Sequence, residues 1–200
     1  MYDYLTVTYD AADRRSFCRH GGLWLDWARR YPGLFDQSDV DRAANQAPNG
    51  FHYHEWLAAI RLHEATGYHC LLAKYQFQKK HPEKFSIFSK LVPEPVRVLL
   101  RPNGRPQGPD LFMYAPSLDD WFLAEAKRGG ERLTPSQTAL FPLLEAAWGQ
   151  EIRVVRFKKQ IIKSNESSAG PHNNALEQTA GSHSLAAAAH RDRSADWSIS

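Results

Sequence analysis

Apolar positions recur with two different periods between residues 51 and 162. A helical period runs from Glu55 to Thr66, with Glu55, Ala59 and Leu62 on one face and Gly67 placed to end the helix. Tyr68 to Tyr75 reads as a strand. His81 to Leu91 reads as a helix stopped before Pro93, and Glu94 to Leu100 as a short helix after it. A loop spans Asn103 to Gly108. Then come a strand over Asp110–Tyr114, a six-residue turn over Ala115–Asp120, and a strand over Trp121–Lys127. The polar stretch Arg128–Leu133 leads to a helix over Thr134–Trp148 with Gly149 past its end, and Ile152–Phe157 reads as the last strand. This order predicts a mixed α/β core, a central mixed sheet flanked by helices. The crossover from Lys127 to Ile152 through the 134–148 helix should be parallel and right-handed.

The flanks differ in character. Residues 1–50 carry many aromatics and arginines and turn signals at Gly21-Gly22, Pro32-Gly33 and Pro48-Asn49-Gly50. They are expected to pack on the core as an accessory segment. Within them Trp24, Trp27 and Tyr31 have helical spacing, and with Phe35 they suit a packed core face better than a base-stacking platform. Residues 163–200 have few large apolar side chains, too few to offset chain entropy, and are expected to form a disordered tail. The expected organisation is therefore 1–50 accessory, 51–162 core domain and 163–200 tail.

Candidate chemistry sits on the two strands around residues 110–127. Alternation puts Glu125 and Lys127 on one face, with Phe122, Ala124 and Ala126 on the other. If Tyr114 faces Trp121, the hairpin register sets Phe112 opposite Leu123 and Asp110 opposite Glu125. Directly opposed carboxylates repel each other, and a divalent cation between them removes the conflict. Mg²⁺ is the expected ion, because it takes hard oxygen ligands, with Mn²⁺ as a substitute. Lys127, one step along the same face, is placed to position or deprotonate a water or to offset phosphate charge. A plain salt-bridged hairpin is the competing structural account. Three such groups on one face of an otherwise apolar hairpin favour the functional one.

Pro109-Asp110, followed by Glu125-Ala126-Lys127, resembles the PD-(D/E)xK signature of restriction-endonuclease-like nucleases. The longer run, from Pro109-Asp110-Leu111-Phe112-Met113-Tyr114 through Trp121–Lys127 to Glu131-Arg132-Leu133-Thr134-Pro135-Ser136-Gln137, resembles the virus-type replication-repair (VRR-NUC) branch. The resemblance covers roughly residues 55–158. It departs at Ala126, where a bulkier aliphatic residue is usual. It implies a restriction-endonuclease-like core, metal-dependent hydrolysis of DNA phosphodiesters, an acidic residue on the first helix and a site role for Gln137. Glu55 and Glu64 both fit the helix acid on residue type, but they lie on opposite sides of that helix, and the early position of Glu55 favours it. Gln137 also completes a capping box with Thr134, so cap and site roles both stand open.

The chain has 200 residues, 24% of them charged, and a net charge of +3, a balance that permits a polyanionic partner without demanding one. Arg128, Arg132, Arg153 and Arg156 are the candidate nucleic-acid contacts. Lys158, Lys159, Arg101 and Arg105 lie nearby in sequence. Cys18 and Cys70 form no C-x-x-C, which suits a reducing compartment. Zinc ligation by Cys18, His20, His52 and His54 lacks standard spacing. No apolar run is long enough to span a membrane, and no signal peptide is apparent. The expected protein is a cytoplasmic DNA nuclease, nucleoid-associated when bound, acting in repair or recombination. RNA is an alternative substrate, and a homodimer is compatible with cutting two strands. Two rival expectations are a catalytically idle nuclease-fold binding module and a restriction or antiphage-defence endonuclease.

Overall fold

The computed structural model describes residues 3–19, 22–101 and 108–160, and within them five strands form one mixed sheet flanked by helices. The strands are β1 (Asp3–Tyr9), β2 (His69–Leu72), β3 (Leu111–Tyr114), β4 (Trp121–Arg128) and β5 (Arg153–Lys159). They lie in the order β1-β5-β4-β3-β2. The chain divides between Ile162 and Lys163. The predicted tail 163–200 lies outside the described residues, as do His20, Arg105 and most of the predicted 103–108 loop.

The central hairpin has the predicted register. Tyr114 pairs with Trp121 and Phe112 with Leu123 in an antiparallel ladder. β2 adds antiparallel to β3, with Cys70 opposite Met113. β5 runs parallel to β4, as expected for a crossover through a helix, and sets Val154 beside Glu125 and Arg156 beside Lys127. The outer edge of β2 is covered at one point, where the Cys70 N–H donates to the Leu34 carbonyl.

The helices are α1 (Ala11–Phe17), α2 (Leu23–Arg30), α3 (Gln37–Gln46), α4 (Tyr53–Thr66), α5 (Pro82–Leu91), α6 (Glu94–Leu99) and α7 (Pro135–Trp148). Side-chain alternation splits the core into two layers. Cys70, Leu72, Leu111, Met113, Phe122 and Ala124 join α1 to α4 on one face. Leu71, Phe112, Tyr114, Trp121 and Leu123 join α5 to α7 on the other. Strands buried on both faces read as nearly continuous apolar runs, as β3 and the first half of β4 do.

The first fifty residues do more than pack as an accessory layer. β1 is a strand of the central sheet, parallel to β5, and Val7, Phe17, Trp24, Trp27, Phe35 and Ala43 belong to the same buried cluster as α4. Phe35 stacks on Trp56 with ring centroids 3.9 Å apart, and Trp27 stacks on Tyr53. Trp24 and Trp27 on α2 and Phe35 beyond it are therefore core, whereas Tyr31, the third member of the helical spacing, sits half-buried at the end of α2. Gly67 and Gly149 close α4 and α7 in the left-handed conformation, where a side chain would strain the backbone. No helix among the described residues is long and apolar enough to cross a membrane.

Candidate active site

Asp110 immediately precedes β3, and the hairpin register carries it opposite Glu125 on β4. Two backbone-to-carboxylate hydrogen bonds lock that pairing. The Asp110 N–H donates to Glu125 Oε2 at 3.1 Å, and the Ala126 N–H donates to Asp110 Oδ2 at 3.1 Å. Glu125 is 2% exposed and Lys127 8%, so both charges sit out of water at the end of an apolar strand. Such groups persist only when paired. Lys127 Nζ lies 2.7 Å from Glu125 Oε1, and Gln137 Nε2 donates to the same oxygen at 2.7 Å.

Gln137 caps α7 and contacts Glu125 at once. Its Oε1 accepts from the Thr134 N–H and its own N–H donates to Thr134 Oγ1, which closes the capping box of α7. Its remaining amide donor reaches Glu125.

Glu55, in the first turn of α4, completes a set of three carboxylates. Burial holds its carboxyl above the ordinary range, and the nearby charge of Glu125 adds to the shift. Asp110 is held well above its ordinary value by burial first, then by the charges of Glu125 and Glu55. Glu64 is elsewhere. It accepts from the Tyr31 hydroxyl at 2.6 Å and from Arg61 at 2.7 Å on the exposed side of the helix. The helix-borne acid at the site is Glu55.

Among the described residues no group of three or more His, Cys, Asp or Glu side chains is set to hold a metal ion as it stands. Both oxygens of Glu125 are engaged within the chain, by Lys127, Gln137 and the Asp110 N–H. The donor chemistry nevertheless suits a hard divalent cation, because Asp110, Glu125 and Glu55 bring three neighbouring carboxylates together, and the charges of Glu125 and Glu55 add to the raised value of Asp110. The zinc set of the sequence reading does not form among the described residues. Cys18 is a free thiol, and His54 is packed among Tyr9, Tyr53 and Phe157.

A buried strap fixes the position of Asp110 from behind. Asp39 on α3 and Lys84 on α5 form an ion pair out of water. Asp39 accepts from the Leu72 N–H at 3.0 Å, and Lys84 donates to the Leu72 carbonyl at 2.9 Å. The next residue, Ala73, donates its N–H to the Asp110 carbonyl at 2.7 Å. On the other side, the Tyr75 hydroxyl donates to the Pro109 carbonyl at 2.9 Å. Gly108 is held close, since a Cβ there would meet Leu100 Cδ2 at 3.1 Å.

The four predicted arginine contacts separate. Arg128 is exposed and pairs with Glu131, its Nε donating at 2.8 Å. Arg132 is exposed on the same loop. Arg156 shares the register position of Lys127 and donates to the Glu131 carbonyl at 2.8 Å. Arg153 pairs with Ala124 on the opposite face, where its guanidinium lies 3.6 Å from the centre of the Phe122 ring. It is turned away from the carboxylates and serves as a stacking group. Of the neighbouring basic residues, Arg101 is paired with Glu94 at 2.6 Å.

Beside the carboxylates, a cleft of about 390 Å³ is lined by Glu55, Ala126, His52, His54, Arg14 and Glu131, among others. Small Ala126 forms part of its wall. His52, whose backbone is left-handed at φ 70°, is lowered to about 4 by burial and the charges of Arg42, Lys74 and Lys84, and so is neutral near pH 7. Arg14 carries no mark in the sequence pattern, and His52 and His54 stand out there only as members of the zinc set, because their place at the cleft depends on how α1 and α4 pack. Set against protein-family models, curated proteins and solved structures, the chain matches none of them.

Proposed function

We propose that this chain is a metal-dependent nuclease with a restriction-endonuclease-like core, akin to the VRR-NUC branch, that hydrolyses DNA phosphodiester bonds. One observation carries the proposal. The Asp, Glu and Lys of the sequence signature are gathered with Glu55 and Gln137 around one carboxylate oxygen network, although Asp110 and Glu125 are separated by a turn and Glu55 comes from a different helix.

Asp110, Glu125 and Glu55 would hold the cation. Mg²⁺ at such carboxylates supplies charge stabilisation for phosphate oxygens and the leaving group. The other roles fall to the chain itself. Gln137 fixes the orientation of Glu125 from the mouth of α7. Lys127 stands beside that carboxylate, where its Nζ orients a water for attack on phosphorus and offsets charge building on the phosphate. The water forms the new P–O bond, the bond to the leaving oxygen breaks, and the water's proton passes to solvent or to that oxygen. His52 and His54, neutral near pH 7, add no charge to the cleft wall.

The test is cleavage of labelled linear, flapped and four-way-junction DNA, and of RNA, with Mg²⁺, Mn²⁺ or EDTA. Wild-type protein should cut in a metal-dependent way, Asp110→Ala should not cut, and Lys127→Ala should lose about 10²–10⁴-fold in rate. A second reading, a catalytically idle binding module, is favoured by the full engagement of both Glu125 oxygens within the chain. Binding without turnover under either metal would decide for it.

A further inference from the structure

We propose that the cleft between α1 and the end of β5 binds the phosphodiester backbone of the strand being cut, a few nucleotides from the carboxylates. This role rests on the nuclease proposal and extends it. The cleft has a volume of about 510 Å³, and its walls carry four cations, Arg14, Arg15, Arg19 and Lys159. Among the described residues no carboxylate forms an ion pair with any of them. The nearest acids on α1 are set aside. Asp10 accepts the Ala12 N–H as the helix cap, and Asp13 lies on the opposite side of the helix from Ala11, Arg15 and Cys18. Four cations without an ion pair around one concavity create a positive potential that favours an anion from outside.

The position of the cleft says what that anion is attached to. Arg14 lines both this cleft and the one that holds Glu55, so the two adjoin at one side chain. Lys159 lies three residues beyond Arg156, the β5 partner of Lys127, and by strand alternation on the other sheet face, the one that carries α1, α4 and Ala126 of the Glu55 cleft. At about 3.3 Å per residue that is roughly 10 Å along the strand direction, close to three nucleotides of a duplex strand at about 3.4 Å each. A polymer with regularly spaced phosphates can occupy both clefts together. Contacts of this kind position the strand without reading its sequence.

Arg15 and Arg19 are exposed and line the basic cleft but not the Glu55 cleft, so they can be changed without touching the carboxylate site. The comparison is between the full chain and its Arg15→Glu/Arg19→Glu variant, both carrying Asp110→Asn to prevent cutting. Binding of fluorescein-labelled single-stranded DNA, duplex DNA and RNA is followed by anisotropy from about 50 to 200 mM salt. The charge-reversed pair should bind at least about tenfold more weakly, with a slope of log affinity against log salt smaller by about two. Arg15→Lys/Arg19→Lys should retain most of the affinity, which separates charge from folding. In proteins with Asp110 intact, charge reversal should raise KM for the polymer and leave hydrolysis of bis(4-nitrophenyl) phosphate, too short to reach the cleft, unchanged.

Equal affinity and slope in parent and charge-reversed protein would overturn the strand cleft while leaving the nuclease proposal standing. Loss of orthophosphate binding with strand affinity unchanged would make this a free-anion site and would also overturn it. Absence of hydrolysis of the short ester, with strand binding still dependent on Arg15 and Arg19, would remove the nuclease and keep the cleft. No nucleic acid bound by the parent would remove both.

Discussion

At the scale of single residues, Asp110 is a carboxyl whose ionisation the fold opposes. Its folded pKa stands above the unfolded value, so its contribution to stability is present below the unfolded value and is lost as pH rises through the folded one. Asp110→Asn removes that loss and keeps an oxygen for the Ala126 N–H. In EDTA at neutral pH the variant should be more stable than wild type by about 1 kcal/mol, or about 2–4 °C in melting temperature. The gap should widen from pH 5 to pH 8. His52 and His54, both lowered to about 4, weaken the fold as pH falls below the usual histidine range. Their effect is common to both proteins and drops out of the difference. Saturating Mg²⁺ should reverse the order by raising the wild-type melting temperature and leaving the variant's nearly unchanged. The position of Gln137 is tighter still. A capping box accepts Glu or Gln at this place, but Glu125 requires a donor. Gln137→Glu should keep α7 by circular dichroism. In metal-free protein at pH 8 it should cost more stability in urea than Gln137→Ala, with the gap closing at pH 5.

At the scale of elements, Asp39 and Lys84 tie α3 and α5 to the last residue of β2, and β2 hands the constraint to Asp110. Burial, opposed by Lys84, raises Asp39 to about 6. Lys84→Met leaves that carboxylate uncompensated and should cost about 3–5 kcal/mol at neutral pH, read from the urea midpoint. The deficit should shrink as pH falls towards about 6, because without Lys84 the Asp39 carboxyl takes up its proton at higher pH than in the wild type. This strap was illegible beforehand, because two charges 45 residues apart leave no periodic trace. The hairpin was legible for the opposite reason. A six-residue turn between two short apolar runs allows few registers, and that register alone sets Asp110 against Glu125. The parallel register of β5 could not be read across a long crossover. Arg153 was therefore grouped with the site arginines, although a one-residue shift in parity puts it on the far face. The strand Asp3–Tyr9 did carry a signal, since Leu5, Val7 and Tyr9 alternate with Thr6 and Thr8, but the aromatic and arginine content around it obscured that alternation.

At the scale of the whole molecule, β1 covers the edge of β5, and Val7 packs with Val155 and Phe157 in one core cluster. Removal of residues 1–9 bares that edge and opens the layer beneath α4. The shortened protein should melt at a lower temperature and associate in a concentration-dependent way, seen by light scattering, whereas a true accessory segment could be removed without either effect. The same pairing orders events during synthesis. Asp3 meets Val154, about 150 residues later. At about 5–20 residues per second, the first strand waits on the order of ten seconds or more on the ribosome before β5, its neighbour in the sheet, exists. Through that interval Leu5, Val7 and Tyr9 have no sheet to join. The nascent chain is then at its most vulnerable, and a chaperone holding the first strand would act before any part of the carboxylate site has been assembled.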